Sequence, residues 1–143
     1  MSERPKATVP LVEESQAVGR VAAVFDDIKA TKGIDFVPNF WRVLATSPDL
    51  LEGTWARLKS VMHPEAEGRT ARLDPLMREI IALAVSATNG CAYCVNSHTA
   101  AAMKLGLDAA GLGEVMAIVG LFNMTNSLAD GYQVEPDVRP PQG

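Results

Sequence analysis

Two residue types that can do redox chemistry meet in one short stretch, Cys91-Ala92-Tyr93-Cys94-Val95-Asn96-Ser97-His98. Both cysteines of the 143-residue chain stand there, at a spacing that random placement would produce only about 1–2 % of the time. On a helix turning ~100° per residue, the Cys94 side chain lies ~60° behind Cys91 and His98 ~20° behind it, so all three share one face. Cys94 and His98 are i,i+4 neighbours and can touch. Cys91 and Cys94 can join if the first helical turn relaxes, and Asn89-Gly90, ending one helix and opening the next, is expected to supply that freedom. Free amide N–H groups and the positive dipole end at a helix start lower a thiol's pKa, and an imidazole can take the thiol proton. A thiolate with a partner cysteine three residues away can attack a peroxide or disulfide and then be resolved within the chain.

Glu79 is the fourth candidate. It precedes Gly90 by 11 residues, and His98 follows Cys91 by 7. In an antiparallel helix hairpin their depths differ by about 6 Å, within reach of a direct or water-mediated contact. Glu79 borders the arc of Leu76, Ile80, Leu83 and Ala87, so it can face inward and orient the imidazole. Three other readings compete. Cys91, Cys94, His98 and Glu79 could together ligate zinc in a structural module. The cysteines could be buried residues without a role. A disulfide between them could also serve a redox-sensing oligomer without turnover.

The elements that position these residues are all helical. Helical spacing of Val18, Val21, Ala22, Phe25 and Ile28 predicts a helix over residues 14 to about 32, stopped at Gly33. A short helix carries Phe40, Trp41, Val43 and Leu44. Ser47-Pro48 reads as a cap with proline at the first helical position, opening a helix to about residue 62 with Leu51, Trp55 and Leu58 on one side. Phe40, Trp41 and Trp55 are expected to pack the core. His63 is expected to be structural or exposed, and residues 64–70 form a polar connection. Asp74-Pro75 repeats the cap-plus-proline start of a helix ending at Asn89-Gly90. The next helix runs from about Cys91 to near Gly106, and Asp108 caps a last one to about residue 130. That last helix (Leu112, Val115, Met116, Ile118, Val119, Leu121, Phe122 and Met124) is apolar nearly all round, as for a core helix or one covered by another subunit. The expectation is one all-α domain over residues 1–143, with an N-terminal arm (1–13) and a C-terminal tail (134–143).

Composition narrows the function. With 48 % apolar residues the chain can bury a core without metal or disulfide staples. The net charge of −4 and scattered basic residues argue against a nucleic-acid partner. No charged-then-apolar leader is visible, and the longest apolar run, residues 115–122, falls short of the ~20 residues a bilayer requires. A cytoplasmic protein without membrane partners is expected. In a reducing compartment a close cysteine pair points to catalysis or metal binding.

The spacing Glu79-x11-Cys91-x2-Cys94-x3-His98 resembles the alkylhydroperoxidase D (AhpD)-like branch of the carboxymuconolactone decarboxylase superfamily. Arg78-Glu79-Ile80-Ile81-Ala82-Leu83-Ala84-Val85, Ser97-His98-Thr99, Val37-Pro38-Asn39-Phe40 and Ser47-Pro48-Asp49-Leu50-Leu51 are similar to its peroxidase-related members. The resemblance covers about residues 15–130. It implies an AhpD-like helical bundle whose central antiparallel hairpin carries the cysteine motif, and homo-trimers or hexamers. It further implies reduction of a small hydroperoxide, with an external dithiol, small molecule or protein, as reductant. Glu79, Cys94 and His98 would form the proton relay, Cys91 would complete the redox disulfide, and neither cofactor nor metal is implied. Cys94 is favoured as the attacking residue because His98 is its neighbour. Tyr93 stands where the best-known members carry a histidine. The decarboxylase branch lacks the cysteine pair, so its activity is not expected.

Overall fold

A computed structural model describes residues 4–143; the first three residues of the expected arm lie outside it. The described residues form six α-helices and two short 3-10 turns, with no strand among them. The helices are α1 (Gly19–Lys32), α2 (Asn39–Leu44), α3 (Pro48–Met62), α4 (Pro75–Asn89), α5 (Ala92–Lys104) and α6 (Ala109–Gly131). The chain divides into two compact units, one ending at Arg72 and the other Leu73–Gly143.

In the first unit, α1–α3 bury Phe25, Ile28, Trp41, Ala45, Leu51 and Trp55, joined by Val37 from the loop before α2. Trp41 and Trp55 meet edge to face with ring centroids 5.2 Å apart, the arrangement that ring quadrupoles favour. Phe40 packs edge-on against Trp41 but is 42 % exposed, so only two of the three expected aromatics are buried in the core. The indole N–H of Trp55 donates to Asp27 Oδ2 (2.7 Å), and Lys59 Nζ bonds both Asp27 oxygens at 2.9 Å.

The helix expected from residue 14 is interrupted. Glu14–Gln16 makes one 3-10 turn, Val18 is extended, and Gly19 adopts φ +56°. Such a left-handed residue ends helical continuity. The Glu14 carboxylate is drawn away to the Val37 N–H (3.0 Å) and Lys29 (3.2 Å). The arm is anchored at its end: Val12 N–H donates to Arg42 O (3.1 Å), Arg42 Nε donates to Val12 O (3.1 Å), and Arg42 pairs with Glu13 (2.6 Å). Ser47 precedes α3 but makes no side-chain capping bond, leaving Pro48 as the start signal. His63 caps the C-terminus of α3 through its backbone, donating to Lys59 O (2.8 Å). The connection after it is more ordered than expected, a 3-10 turn (Pro64–Glu67) with Pro64 buried.

The second unit is the hairpin of α4 and α5 with α6 laid against α4. Asp74 accepts from Met77 N–H (2.8 Å) and Asp108 from Gly111 N–H (2.7 Å), so both expected aspartate caps form. Leu83 and Ala102 are fully buried. No residue of α6 is buried, and Ile118, Leu121, Phe122, Met124 and Leu128 are each about half exposed or more. This helix is therefore not the centre of a core within the chain. Its 23 residues also have the length and apolarity to cross a membrane, with a mean hydropathy of 1.2 over an 18-residue window. The run of residues 115–122, interrupted only by Gly120, understates that, because flanking Ala, Gly, Thr and Ser residues extend a weakly apolar helix past it. Glu114, Asn123, Asn126 and Asp130 punctuate the same helix.

Candidate active site

The hairpin turn is built by one glycine and one cysteine. Gly90 takes φ +73°, a conformation that glycine adopts at little cost. Its N–H reaches Ala87 O (3.4 Å), while Cys91 N–H reaches Ser86 O (3.0 Å). Those two bonds are the paired closure of a Schellman motif, satisfying carbonyls that α4 would leave unbonded. Cys91 then turns from closing α4 to opening α5. It is the N-cap of α5, with φ −89° and ψ 90°, and its Sγ accepts the Cys94 N–H at 3.2 Å. The expected slack at Asn89-Gly90 is thus a defined left-handed turn. It places Cys91 outside the helix, where its sulfur can meet Cys94 without the first turn relaxing.

Cys91 and Cys94 are joined in a disulfide with Cα atoms 5.3 Å apart. When that bond is reduced, the amide pointing at Cys91 Sγ lies where it stabilises a thiolate. His98 stands one turn beyond Cys94 on α5. Its Nδ1 is 2.7 Å from Glu79 Oε2 on α4, a direct contact across the hairpin. The side chains are largely enclosed, 25 % exposed for His98 and 13 % for Glu79. A carboxylate accepts, so the contact calls for hydrogen on Nδ1, and in the neutral ring that leaves the lone pair on Nε2. All four candidate residues therefore sit on one hairpin, Glu79 on α4, Cys94 and His98 on α5, and Cys91 in the turn between them. Among the described residues, no three His, Cys, Asp or Glu side chains converge as a metal-holding group.

Residues 48–134, from the start of α3 past the end of α6, match the carboxymuconolactone decarboxylase family. The chain belongs to that family. Within it, the crystal structure of the alkylhydroperoxidase AhpD core from Rhodospirillum rubrum is 47 % identical, with a TM-score of 0.85 over 93 % of this chain and 96 % of that one. The all-α architecture is accordingly the AhpD-core fold. An (R)-2-haloacid dehalogenase from Pseudomonas putida is 30 % identical over 112 residues, 78 % of this chain and 35 % of that protein. The uncharacterized protein YdfG of Bacillus subtilis is 37 % identical over 49 residues, 34 % of this chain and 33 % of that one. The chain spans about a third of the length of these curated relatives.

In this family member, two contributors to the site went unread in the sequence. Ser86 is buried, its hydroxyl donating to Ala82 O (2.7 Å), and its carbonyl receives the Cys91 N–H. Arg78, beside Glu79, is buried and donates through Nη1 to Leu73 O (2.9 Å), tying the start of α4 to the preceding loop. The available signal was slight, an arginine in the first turn of an otherwise apolar helix, a residue type rarely buried without a structural task.

Proposed function

We propose that the protein is a thiol-dependent peroxidase that reduces small hydroperoxides through Cys91 and Cys94, with Glu79 and His98 handling the proton. The observation that carries this reading is the Glu79–His98 contact of 2.7 Å on the hairpin that also holds the bonded cysteine pair. In the reduced protein His98 Nε2 takes the Cys94 thiol proton, and Glu79 steadies the imidazolium. The Cys94 thiolate attacks the terminal peroxide oxygen; the O–O bond breaks, the alkoxide takes the proton from His98 and leaves as alcohol, and Cys94 becomes a sulfenic acid. Cys91, held as a thiolate by the Cys94 amide, attacks that sulfur. Its S–S bond forms as hydroxide departs and is protonated to water. An external dithiol then reduces the disulfide and is itself oxidised, which completes the cycle.

The exposed apolar residues of α6 support assembly into homo-oligomers, trimers or hexamers in this reading. That same surface favours a second reading, in which the disulfide changes assembly without turnover. Steady-state peroxide consumption with a dithiol, alongside the native mass of reduced and oxidised protein, separates the two. Rapid consumption with unchanged mass supports the peroxidase; a mass change without consumption refutes it.

A further inference from the structure

Past α6 the sequence changes period. Tyr132, Val134, Pro136, Val138 and Pro140 alternate with Gln133, Glu135, Asp137 and Arg139. An extended chain with that alternation has one apolar edge and one charged edge. The direction in which it leaves α6 is set by a second Schellman closure. Gln133 N–H bonds Asp130 O and Val134 N–H bonds Ala129 O, both at 3.0 Å, with Gln133 in the left-handed region at φ +50°. Beyond that turn the apolar edge is largely open: Tyr132 is 82 % exposed, Val134 64 % and Val138 85 %. Prolines at 136, 140 and 141 remove backbone donors, so pairing as a β-strand is a poor use of this segment. Side-chain burial in a groove suits it.

A groove of matching length and chemistry lies on α3. Gly53, Thr54, Arg57, Leu58, Val61 and Met62 line a shallow depression of about 540 Å³. A side chain at Gly53 would meet nothing within 4 Å, which leaves that end open. From Gly53 to Val61 the helix rises about 12 Å. Residues 134 to 138 span about 13 Å when extended. Arg57 stands midway along the groove and forms no ion pair among the described residues. Glu135 and Asp137, also without ion pairs there, fall between the two valines.

We propose that residues 134–138 of one copy lie along α3 of a neighbouring copy, with the Val134 and Val138 edge seated toward the two ends of the groove and the long Arg57 side chain reaching past the segment's backbone to Glu135 and Asp137 on its outer edge. The C-terminal segment is then an exchanged arm that ties copies together. This rests on the assembly part of the reading above and is independent of its thiol chemistry.

The test uses the full-length chain with the photoreactive residue p-benzoylphenylalanine in place of Val138. After illumination, a covalent dimer is expected on a reducing denaturing gel, with the crosslink mapped to residues 53–62. Arg57→Glu is expected to lower the dimer yield about fivefold, the effect of losing an exposed charge pair and gaining a repulsive one. Adding Glu135→Lys and Asp137→Lys to Arg57→Glu restores the yield. Crosslinks confined to a single chain, crosslinks to another surface of a neighbour, or no dimer in a protein whose native mass shows assembly would each overturn the exchanged arm alone. A native mass of one copy would overturn the assembly reading as well.

Discussion

Glu79 on α4 and His98 on α5 are linked carboxylate to imidazole at 2.7 Å across the hairpin whose turn is closed by Cys91. The contact gives the imidazole one tautomer and one orientation. In the neutral ring it leaves Nε2, the atom turned away from the carboxylate, with the lone pair.

Glu79→Gln keeps the size of the side chain and removes its charge. Peroxide turnover in the proposed reaction is expected to fall about 10²-fold, within the span attributed to positioned acid–base groups. A thermal melt should shift little, because the amide can still accept from Nδ1–H. A loss of helicity in place of a loss of rate would assign Glu79 to the fold alone.

The two cysteines are expected to fail differently. Cys94→Ser abolishes peroxide consumption, because the residue next to His98 is gone. Cys91→Ser still reacts once and stops at a Cys94 sulfenic acid, which a dimedone-type probe labels. Full turnover in Cys94→Ser would reverse the assignment of the two sulfurs.

Gly90→Ala tests the turn. No atom lies within 4 Å of the added Cβ, so the cost comes from the backbone: an L-residue at φ +73° is strained by about 1–2 kcal/mol. Urea unfolding should register that loss. Turnover should fall as well, since the same residue aims Cys91 at α5. An unchanged unfolding free energy would contradict the role given to Gly90.

Asp27 predicts how stability depends on pH. Burial pushes its carboxyl up, but bonds from the Trp55 indole and Lys59 ammonium, with a smaller one from Thr31, outweigh that and hold it below the ordinary value of 3.8. A depressed folded-state pKa contributes stability above the unfolded-state value, and that stability is lost as pH falls through the folded one. Acid titration of the unfolding free energy should therefore decline below about pH 4, and the decline should shrink in Asp27→Asn. An identical acid limb in both proteins would remove Asp27 as its source.

Much of the site was legible because helical periodicity is a local property. Cys91, Cys94 and His98 share a face by spacing alone, and counting outward from Gly90 brings Glu79 within about 6 Å in depth of His98. The Asp74 and Asp108 caps were equally local. Features decided by distant partners were not. Glu14 looked like the start of a helix until Val37 and Lys29 claimed its carboxylate, and nothing near Arg42 announces that it holds Val12 and Glu13. Cys91 was read as a helix residue, whereas it closes α4 with its N–H and caps α5 with its sulfur. That dual role needs the actual turn geometry. For α6, composition left two readings, and the absence of any buried residue along it removes the core helix.

The most direct measurement is made on the fully reduced protein mixed with one equivalent of an organic hydroperoxide, quenched with a thiol-alkylating reagent and mapped by mass spectrometry. The proposed chemistry predicts one equivalent of alcohol and a peptide carrying Cys91 and Cys94 that is lighter by about 2 Da, the two hydrogens lost on forming the disulfide. Both cysteines recovered alkylated, with the hydroperoxide unconsumed, would contradict it.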